Sequence, residues 1–219
     1  MCSLLREALR REKHRRILGE VSMRTGLGPG AWILHGWVLA NRPKVVVEIG
    51  SASGWSACVI GSALKANGTG KLYAIDPHTA TAWNDGTLVD TYPVMSSNLR
   101  RLGLEEYVEI VRQTSQDAAR GWTRKIDMIF IDGDHSYEGV KSDWDLFLPH
   151  MHSFTLVVFH DTIWEVGEVK EAYRREDMGV PRFVDELRRQ GYPVVTSPAN
   201  CGVSLVQPIV GGAALLKRV

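Results

Sequence analysis

Apolar positions along this chain follow two different spacings, and the change comes just ahead of Val45. Before it, Leu4, Leu5, Ala8 and Leu9 keep a helical repeat, and Ile33, Leu34, Trp37 and Val38 keep another. Two helices are therefore predicted ahead of the first strand. The second opens behind Pro29 and Gly30 and is stopped by Asn41-Arg42-Pro43. From Val45 onward the pattern becomes one of short, mostly apolar runs: Val45 to Ile49, Leu72 to Ile75, Val108 to Val111, Met128 to Ile131 and Leu156 to Phe159. Such runs suit strands covered on both faces. Helical segments near Ser56, Val94, Gln116, Tyr137 and Arg182 lie between or after them, and this alternation predicts an α/β, doubly wound, mostly parallel sheet. Pro193 to Thr196 and Val203 to Val206 add an antiparallel hairpin on the sheet edge, which brings the sheet to seven strands.

Right-handed crossovers place the C-terminal ends of parallel strands on one edge, where ligands collect. Two long connections overhang that edge. One runs from His78 to Pro93 with Trp83, Asn84-Asp85-Gly86 and Tyr92; the other runs from Ile163 to Val180, partly helical from Glu165 to Arg175. Lids or substrate walls are expected of loops this long, with disorder as the plain alternative. There is no internal repeat. A single domain over 1–219 is expected, with N-terminal helices over 1–43, a core over 44–206 and a tail over 207–219.

Composition narrows the partners. A chain of 219 residues with 44% hydrophobic content can bury one sizeable core. Its 26 basic and 25 acidic residues leave a net charge of +1, so no global field draws it to nucleic acid or an anionic membrane. The basic stretch Arg10 to Arg16, with Glu7 and Glu12 interspersed, reads as a solvated helix face, with an RNA or lipid contact as the alternative. Cys2, Cys58 and Cys201 form no Cys-x-x-Cys pair, which argues against a disulfide framework or a zinc knot and fits a reducing cytoplasm. No apolar run approaches the ~18 residues that span a bilayer, and the first residues lack the apolar centre of a signal peptide.

The segment Val45 to Ser56 passes from strand through small residues into helix. Glu48 closes the strand, and Gly50 and Gly54 allow a tight turn and close approach to a ligand. Ser56 is the expected cap of a helix continuing from Ala57 to Ala66. The spacing Gly-x-x-x-Gly behind an acid differs from the Gly-x-Gly-x-x-Gly of dinucleotide enzymes. A negative charge at the loop mouth disfavours a pyrophosphate and suits a cationic amino group. Taken alone, the loop equally fits an ordinary strand-to-helix turn. The next run, Lys71 to Asp76, ends on an acid about twenty positions further on, where a ribose diol would be bound.

A second constellation is Ile131-Asp132-Gly133-Asp134-His135 after one strand and His160-Asp161-Thr162 after the next. Clustered carboxylates repel unless a cation or a proton intervenes. A divalent ion on Asp132 and Asp161, with His160 adding a nitrogen, would resolve the repulsion. The plainer reading has Asp161 capping a loop, Asp132 facing a cofactor and His160 packing against a neighbour. His135 has the right chemistry to take a proton from a hydroxyl near neutrality. His150 and His152 are expected at the end of the helix from Tyr137, with structural or solvent-exposed roles. Ser115 follows the third strand as a further binding candidate, and Trp55, Trp83 and Trp164 fall on ligand-edge segments, either as substrate walls or as loop packing.

The sequence resembles the class I methyltransferases that use S-adenosylmethionine, through Glu48-Ile49-Gly50, Gly54-Trp55-Ser56 and Ala74-Ile75-Asp76, over roughly Trp32 to Val206. That resemblance implies the seven-stranded fold with an antiparallel C-terminal hairpin. It also implies that Gly50, Ser51, Ser53 and Gly54 line the methionine moiety, with Glu48 and Ser56 beside them, that Asp76 holds the ribose, and that Ser115 lies near the adenine. Asp132 through Val140, with His160-Asp161, is further similar to small-molecule O-methyltransferases of the macrolide-sugar, cephalosporin-tailoring and catechol types. Those enzymes hold magnesium on acids matching Asp132 and Asp161, and the position matching His135 takes the substrate proton. An acidic residue usually stands where this chain has His160, which leaves room for manganese or for no ion.

The expectation is transfer of a methyl group to a hydroxyl of a sugar or natural product, by a protein that binds neither nucleic acid nor membrane. Its oligomeric state is open, a homo-oligomer included. Within the fold, the rivals are an N-methyltransferase or a metal-free enzyme. An oxidoreductase is disfavoured by the missing Gly-x-Gly-x-x-Gly and Tyr-x-x-x-Lys, and a non-catalytic binding subunit by the Asp132, His135 and Asp161 set.

Overall fold

Each predicted apolar run becomes a strand in the computed structural model of the protein. The structure describes residues 12, 15–16, 19–20, 26–79, 90–163 and 178–209. The predicted helix at Leu4 to Leu9, Trp83 and the middle of the His78 loop, Trp164 with Glu165 to Arg175, and the end of the tail lie outside the described residues. In chain order the elements are α1 (Gly30–Asn41), β1 (Val45–Ile49), α2 (Trp55–Asn67), β2 (Lys71–Ile75), α3 (Tyr92–Leu102), β3 (Val108–Val111) and α4 (Ser115–Arg120). They continue with β4 (Ile126–Ile131), α5 (Tyr137–Phe147), a 3-10 turn at Leu148–His150, β5 (Met151–His160), α6 (Val180–Arg189), β6 (Val194–Ser197) and β7 (Val203–Val206). Among the described residues no helix is long and apolar enough to cross a membrane.

The strands form one sheet in the order β3-β2-β1-β4-β5-β7-β6. β1 to β5 run parallel, and β7 is antiparallel to both β5 and β6. Strand order reverses at β1 and β4, the kind of crevice in which α/β proteins bind ligands. Alternate residues feed two cores. Val46, Leu72, Met128, Phe130 and Val158 pack on the α1, α2 and α3 side, while Val47, Ile75, Ile129, Ile131 and Phe159 pack with Val140, Trp144 and Phe183 from α5 and α6.

Register decides what meets at the ligand edge. Ile49 pairs with both Ile75 and Ile131, and Ile131 pairs with Phe159. The next residues, Gly50, Asp76, Asp132 and His160, therefore leave their strands at one level. Gly50 has φ +83°, and a Cβ there would run into the Asp132 backbone carbonyl, so β1 and β4 close this tightly only around glycine.

Three local expectations are corrected. Ser56 does not cap α2: Gly54, in the left-handed region, takes the N-cap position without any side-chain acceptor, and Ser56 is buried in the first turn. His150 ends the 3-10 turn that directly continues α5, as expected, but His152 lies in β5, and β5 begins well before Leu156. The early start is stabilised by the Thr155 hydroxyl, which accepts from His152 N at 2.8 Å and donates to the Ile126 carbonyl at 2.6 Å, across a register shift between β4 and β5.

Candidate active site

A cavity of about 640 Å³ opens at the C-terminal ends of β1 to β4. Of the residues expected to bind, Gly50, Ser51, Ser53, Ser56, Asp76, Ser115, Asp132 and His135 line it, as does Trp55. Glu48, Gly54, His160 and Asp161 do not. Gly54 acts as a backbone hinge, with φ +76° and its N–H donated to the Ser51 carbonyl at 2.7 Å.

Glu48 is not at the mouth of the loop. It is fully buried beneath it, accepting from the Ser51 hydroxyl at 2.7 Å. Burial pushes its pKa up to about 8, with the Asp132 and Asp76 charges adding to the rise and the Ser51 and Ser56 hydroxyls opposing it. Near neutrality the residue is a neutral acid that supports the loop from below, so it places no negative charge at the mouth, contrary to expectation.

Asp76 organises the loop directly. Its Oδ2 accepts from Ser51 N and Ala52 N, both at 2.8 Å, and its Oδ1 accepts from His78 N at 2.6 Å. Ala52 has φ +42°, a conformation that costs a non-glycine residue about 1–2 kcal/mol. The paired amide bonds to one carboxylate oxygen offset that strain. Carboxylates offer about four acceptor positions, so one remains for a ligand hydroxyl. His78, also buried and left-handed, lies 2.8 Å from the hydroxyl of Thr91, which lines the cavity too.

The acidic cluster assembles differently from the expected set. Ligand atoms of Asp132, His135 and Asp161 lie within 4.8 Å of one another, and His135 Nδ1 is 3.0 Å from Asp161 Oδ2. His160 stands behind them with both ring nitrogens engaged. Nε2 is 3.2 Å from the Asn200 carbonyl, which can only accept, so Nε2 carries hydrogen. Nδ1 lies 3.1 Å from Asp132 Oδ1 and 3.5 Å from Asp161 Oδ1. Burial alone would lower the His160 pKa, but Asp132, Asp161 and the Asn200 carbonyl together lift it to about 9. It faces both carboxylates as an imidazolium, and the three residues whose ligand atoms converge are Asp132, His135 and Asp161. Burial likewise opposes protonation of His135, yet the Asp161 hydrogen bond and the Asp132 charge leave its pKa raised.

Long-range contacts hold these side chains. Asp161 has φ +57°, and the β6–β7 turn anchors the segment after it: Ile163 N donates to the Cys201 carbonyl at 2.9 Å and Ser204 to the Thr162 hydroxyl at 2.8 Å. His135 is fixed from the other side, where Gly179 N donates to its carbonyl at 2.7 Å. A Cβ on Gly179 would meet the Tyr137 backbone, so only glycine brings α6 this close.

Relatives of the chain point to the same fold. The methyltransferase-domain family matches residues 47–162, more than half of the chain. The chain belongs to that family. An uncharacterized protein of Sinorhizobium fredii is 27% identical to this methyltransferase domain over 204 residues, 86% of this chain and 20% of that protein. Another, from Acanthamoeba polyphaga mimivirus, is 27% identical over 117 residues, 52% of this chain and 50% of its own. The domain thus spans between a fifth and a half of the length of these curated relatives. Among solved structures, the O-methyltransferase TomG from Streptomyces achromogenes in complex with SAM aligns with TM-score 0.61 at 19% identity, covering 84% of this chain and 81% of that one. The O-methyltransferase from Bacillus cereus in complex with SAH aligns with TM-score 0.62 at 17% identity, covering 88% and 90%. These likenesses establish the fold, a seven-stranded methyltransferase sheet with antiparallel C-terminal strands.

Asp143, Thr91, Gln116 and the segment Gly26-Leu27 also line the cavity, and sequence reasoning missed them. Only Asp143 carried a signal: it shares the buried face of α5 with Val140, Trp144 and Phe147, and a charge on an apolar helix face calls for a partner.

Proposed function

We propose that the protein transfers the methyl group of S-adenosylmethionine to a hydroxyl oxygen of a small molecule, a sugar or hydroxylated natural product. One observation carries the reading: a single cavity runs from the glycine loop and Asp76 to Asp132 and His135. Its volume of about 640 Å³ suits a nucleoside-sized ligand with room for an acceptor. The cofactor supplies an electrophilic methyl on a sulfonium, and everything else falls to the chain. Ser51, Ser53 and the Gly50 backbone shape the methionine end, while Asp76 offers its remaining acceptor position to the ribose. His135, oriented by Asp161 through Nδ1, takes the acceptor's proton, and holding the reactants in line contributes the larger share of the rate.

Two carboxylates and an imidazole converging at Asp132, His135 and Asp161 are a donor set that fits a divalent ion such as magnesium or manganese. An ion there would lower the acceptor hydroxyl's pKa. A metal-free version of the same transfer is supported by His160, whose imidazolium already balances charge on Asp132 and Asp161.

Calorimetry with S-adenosylhomocysteine and a turnover screen against hydroxylated acceptors, read as methylated product by mass spectrometry, test the proposal. His135→Ala should lower kcat by roughly 10² to 10⁴ while leaving cofactor affinity within about twofold. Binding of a nicotinamide nucleotide in place of the sulfonium cofactor would overturn the reading.

A further inference from the structure

We infer that Asn200, on the β6–β7 turn, is a positioning residue for the reacting end of the cavity: its side-chain amide latches the segment ahead of α1 in place as a cavity wall beside the Asp132, His160 and Asp161 cluster. This rests on the cofactor reading above, which puts the transferred methyl group near Asp132 and His135. Gly26 and Leu27 of that segment line the same cavity, although they precede β1 and belong to no strand that shapes it.

One residue reaches both parts. The side-chain nitrogen of Asn200 donates to the Gly26 carbonyl, and the Asn200 carbonyl lies 3.2 Å from His160 Nε2. The segment and the histidine that faces both carboxylates therefore hang on the same turn. Gly26 itself lies beside His160: a Cβ there would sit 3.7 Å from Cε1, in ordinary contact. Two further points seat the segment on the β6–β7 hairpin. A Cβ on Gly28, which has φ +49°, would crowd the Asn200 side chain at 3.2 Å, and one on Gly30 would meet Val203 Cγ2 at 2.8 Å. Asn200, Cys201 and Gly202 are all left-handed, at φ +45°, +63° and +89°, a region that asparagine enters more readily than most residues with a side chain. The bonds from Gly30 N to the Leu27 carbonyl and from Ala31 N to the Gly28 carbonyl only coil the segment into α1. Among the described residues, the Asn200 side chain supplies the hydrogen bond that ties it to the rest of the fold. Such a bond shifts an opening equilibrium by roughly three- to tenfold.

Asn200→Gly tests this, because it keeps the left-handed backbone and the carbonyl that faces His160 and removes only the side-chain amide. Hydrogen exchange over residues 27–31, read by mass spectrometry, should be roughly three- to tenfold faster in this variant, with the β4 peptide unchanged. S-adenosylhomocysteine should dissociate from it faster by a similar factor in stopped flow, with little change in the association rate. Asn200→Asp, equal in size but without the donor, should behave alike. Asp127→Ala, destabilised at the far end of the strands, should keep the wild-type dissociation rate, which separates positioning from a general loss of stability. In the wild type, bound S-adenosylhomocysteine should slow exchange over 27–31 at least about threefold, a test that stands even if the variants fold poorly. Unchanged exchange or dissociation in a folded Asn200→Gly, equal acceleration in Asp127→Ala, or no protection by the ligand in the wild type overturns the inference and leaves the cofactor reading intact. Failure of S-adenosylhomocysteine to bind the wild type overturns that reading, and this inference with it.

Discussion

At Glu48, burial decides what chemistry the residue can do. The unfolded chain ionises this carboxyl near its ordinary pKa of 4.5, whereas the folded chain keeps the proton until about pH 8. Over that window the folded state binds the extra proton, so stability falls as pH rises and levels off above the folded pKa. Glu48→Gln keeps an oxygen to accept from Ser51 and has nothing to ionise. The variant should be more thermostable than wild type at pH 8.5, by on the order of a few kcal/mol at most, and should converge with it near pH 4.5. Parallel Tm-against-pH curves for the two proteins would show that Glu48 is ionised in the fold. The same contrast separates the site's other groups. Three backbone amides donate to the Asp76 carboxyl, while two carboxylates face His160 and raise its pKa to about 9.

Between elements, the sheet is pinned at the edge away from the cavity by Asp127. Its Oδ2 accepts from Lys44 N at 2.7 Å and Val45 N at 2.9 Å, and its Oδ1 lies 3.2 Å from His152 Nε2, so one β4 side chain ties the starts of β1 and β5. Burial would raise its pKa, but the Val45 and Lys44 amides and His152 leave it lowered. That contribution is present above the unfolded pKa and is lost as pH falls through the folded one. Asp127→Ala should cost about 1–3 kcal/mol by urea unfolding at pH 7, with the gap from wild type closing in acid. Cofactor affinity should be unchanged, since the clamp and the cavity occupy opposite ends of the strands. A variant that lost cofactor binding while remaining folded would contradict this separation.

For the whole molecule, ligand and ion linkage is the decisive measurement. An ion held only by the folded state stabilises it by RT ln(1 + [L]/Kd), about 2.7 kcal/mol at a hundredfold excess over Kd. Manganese or magnesium should therefore raise Tm in wild type and not in Asp161→Asn, and a chelator should abolish both the shift and turnover. Turnover that persists in excess chelator would select the metal-free reaction, with His160 balancing charge on the carboxylates.

The local pattern of the chain determined a great deal by itself. Short, mostly apolar runs specified β1 to β5, because strands covered on both faces tolerate little polar content, and the residue types after them named Gly50, Asp76, Asp132 and His135 as chemistry. Three outcomes were not legible in sequence, and each depends on contacts between distant segments. Whether Glu48 is charged depends on what covers it, and the cover is the loop folded back over β1. Whether His160 binds an ion or braces carboxylates depends on the Asn200 carbonyl, forty residues away on the β6–β7 turn. Whether Asp143 is a core flaw or a cavity-lining group depends on the packing of α5 against the sheet, which brings its buried carboxyl to the cavity wall. Residue type and spacing carry the strands because those obey local sterics and burial; protonation and ligation follow from desolvation and from the nearest partner, which tertiary structure alone supplies.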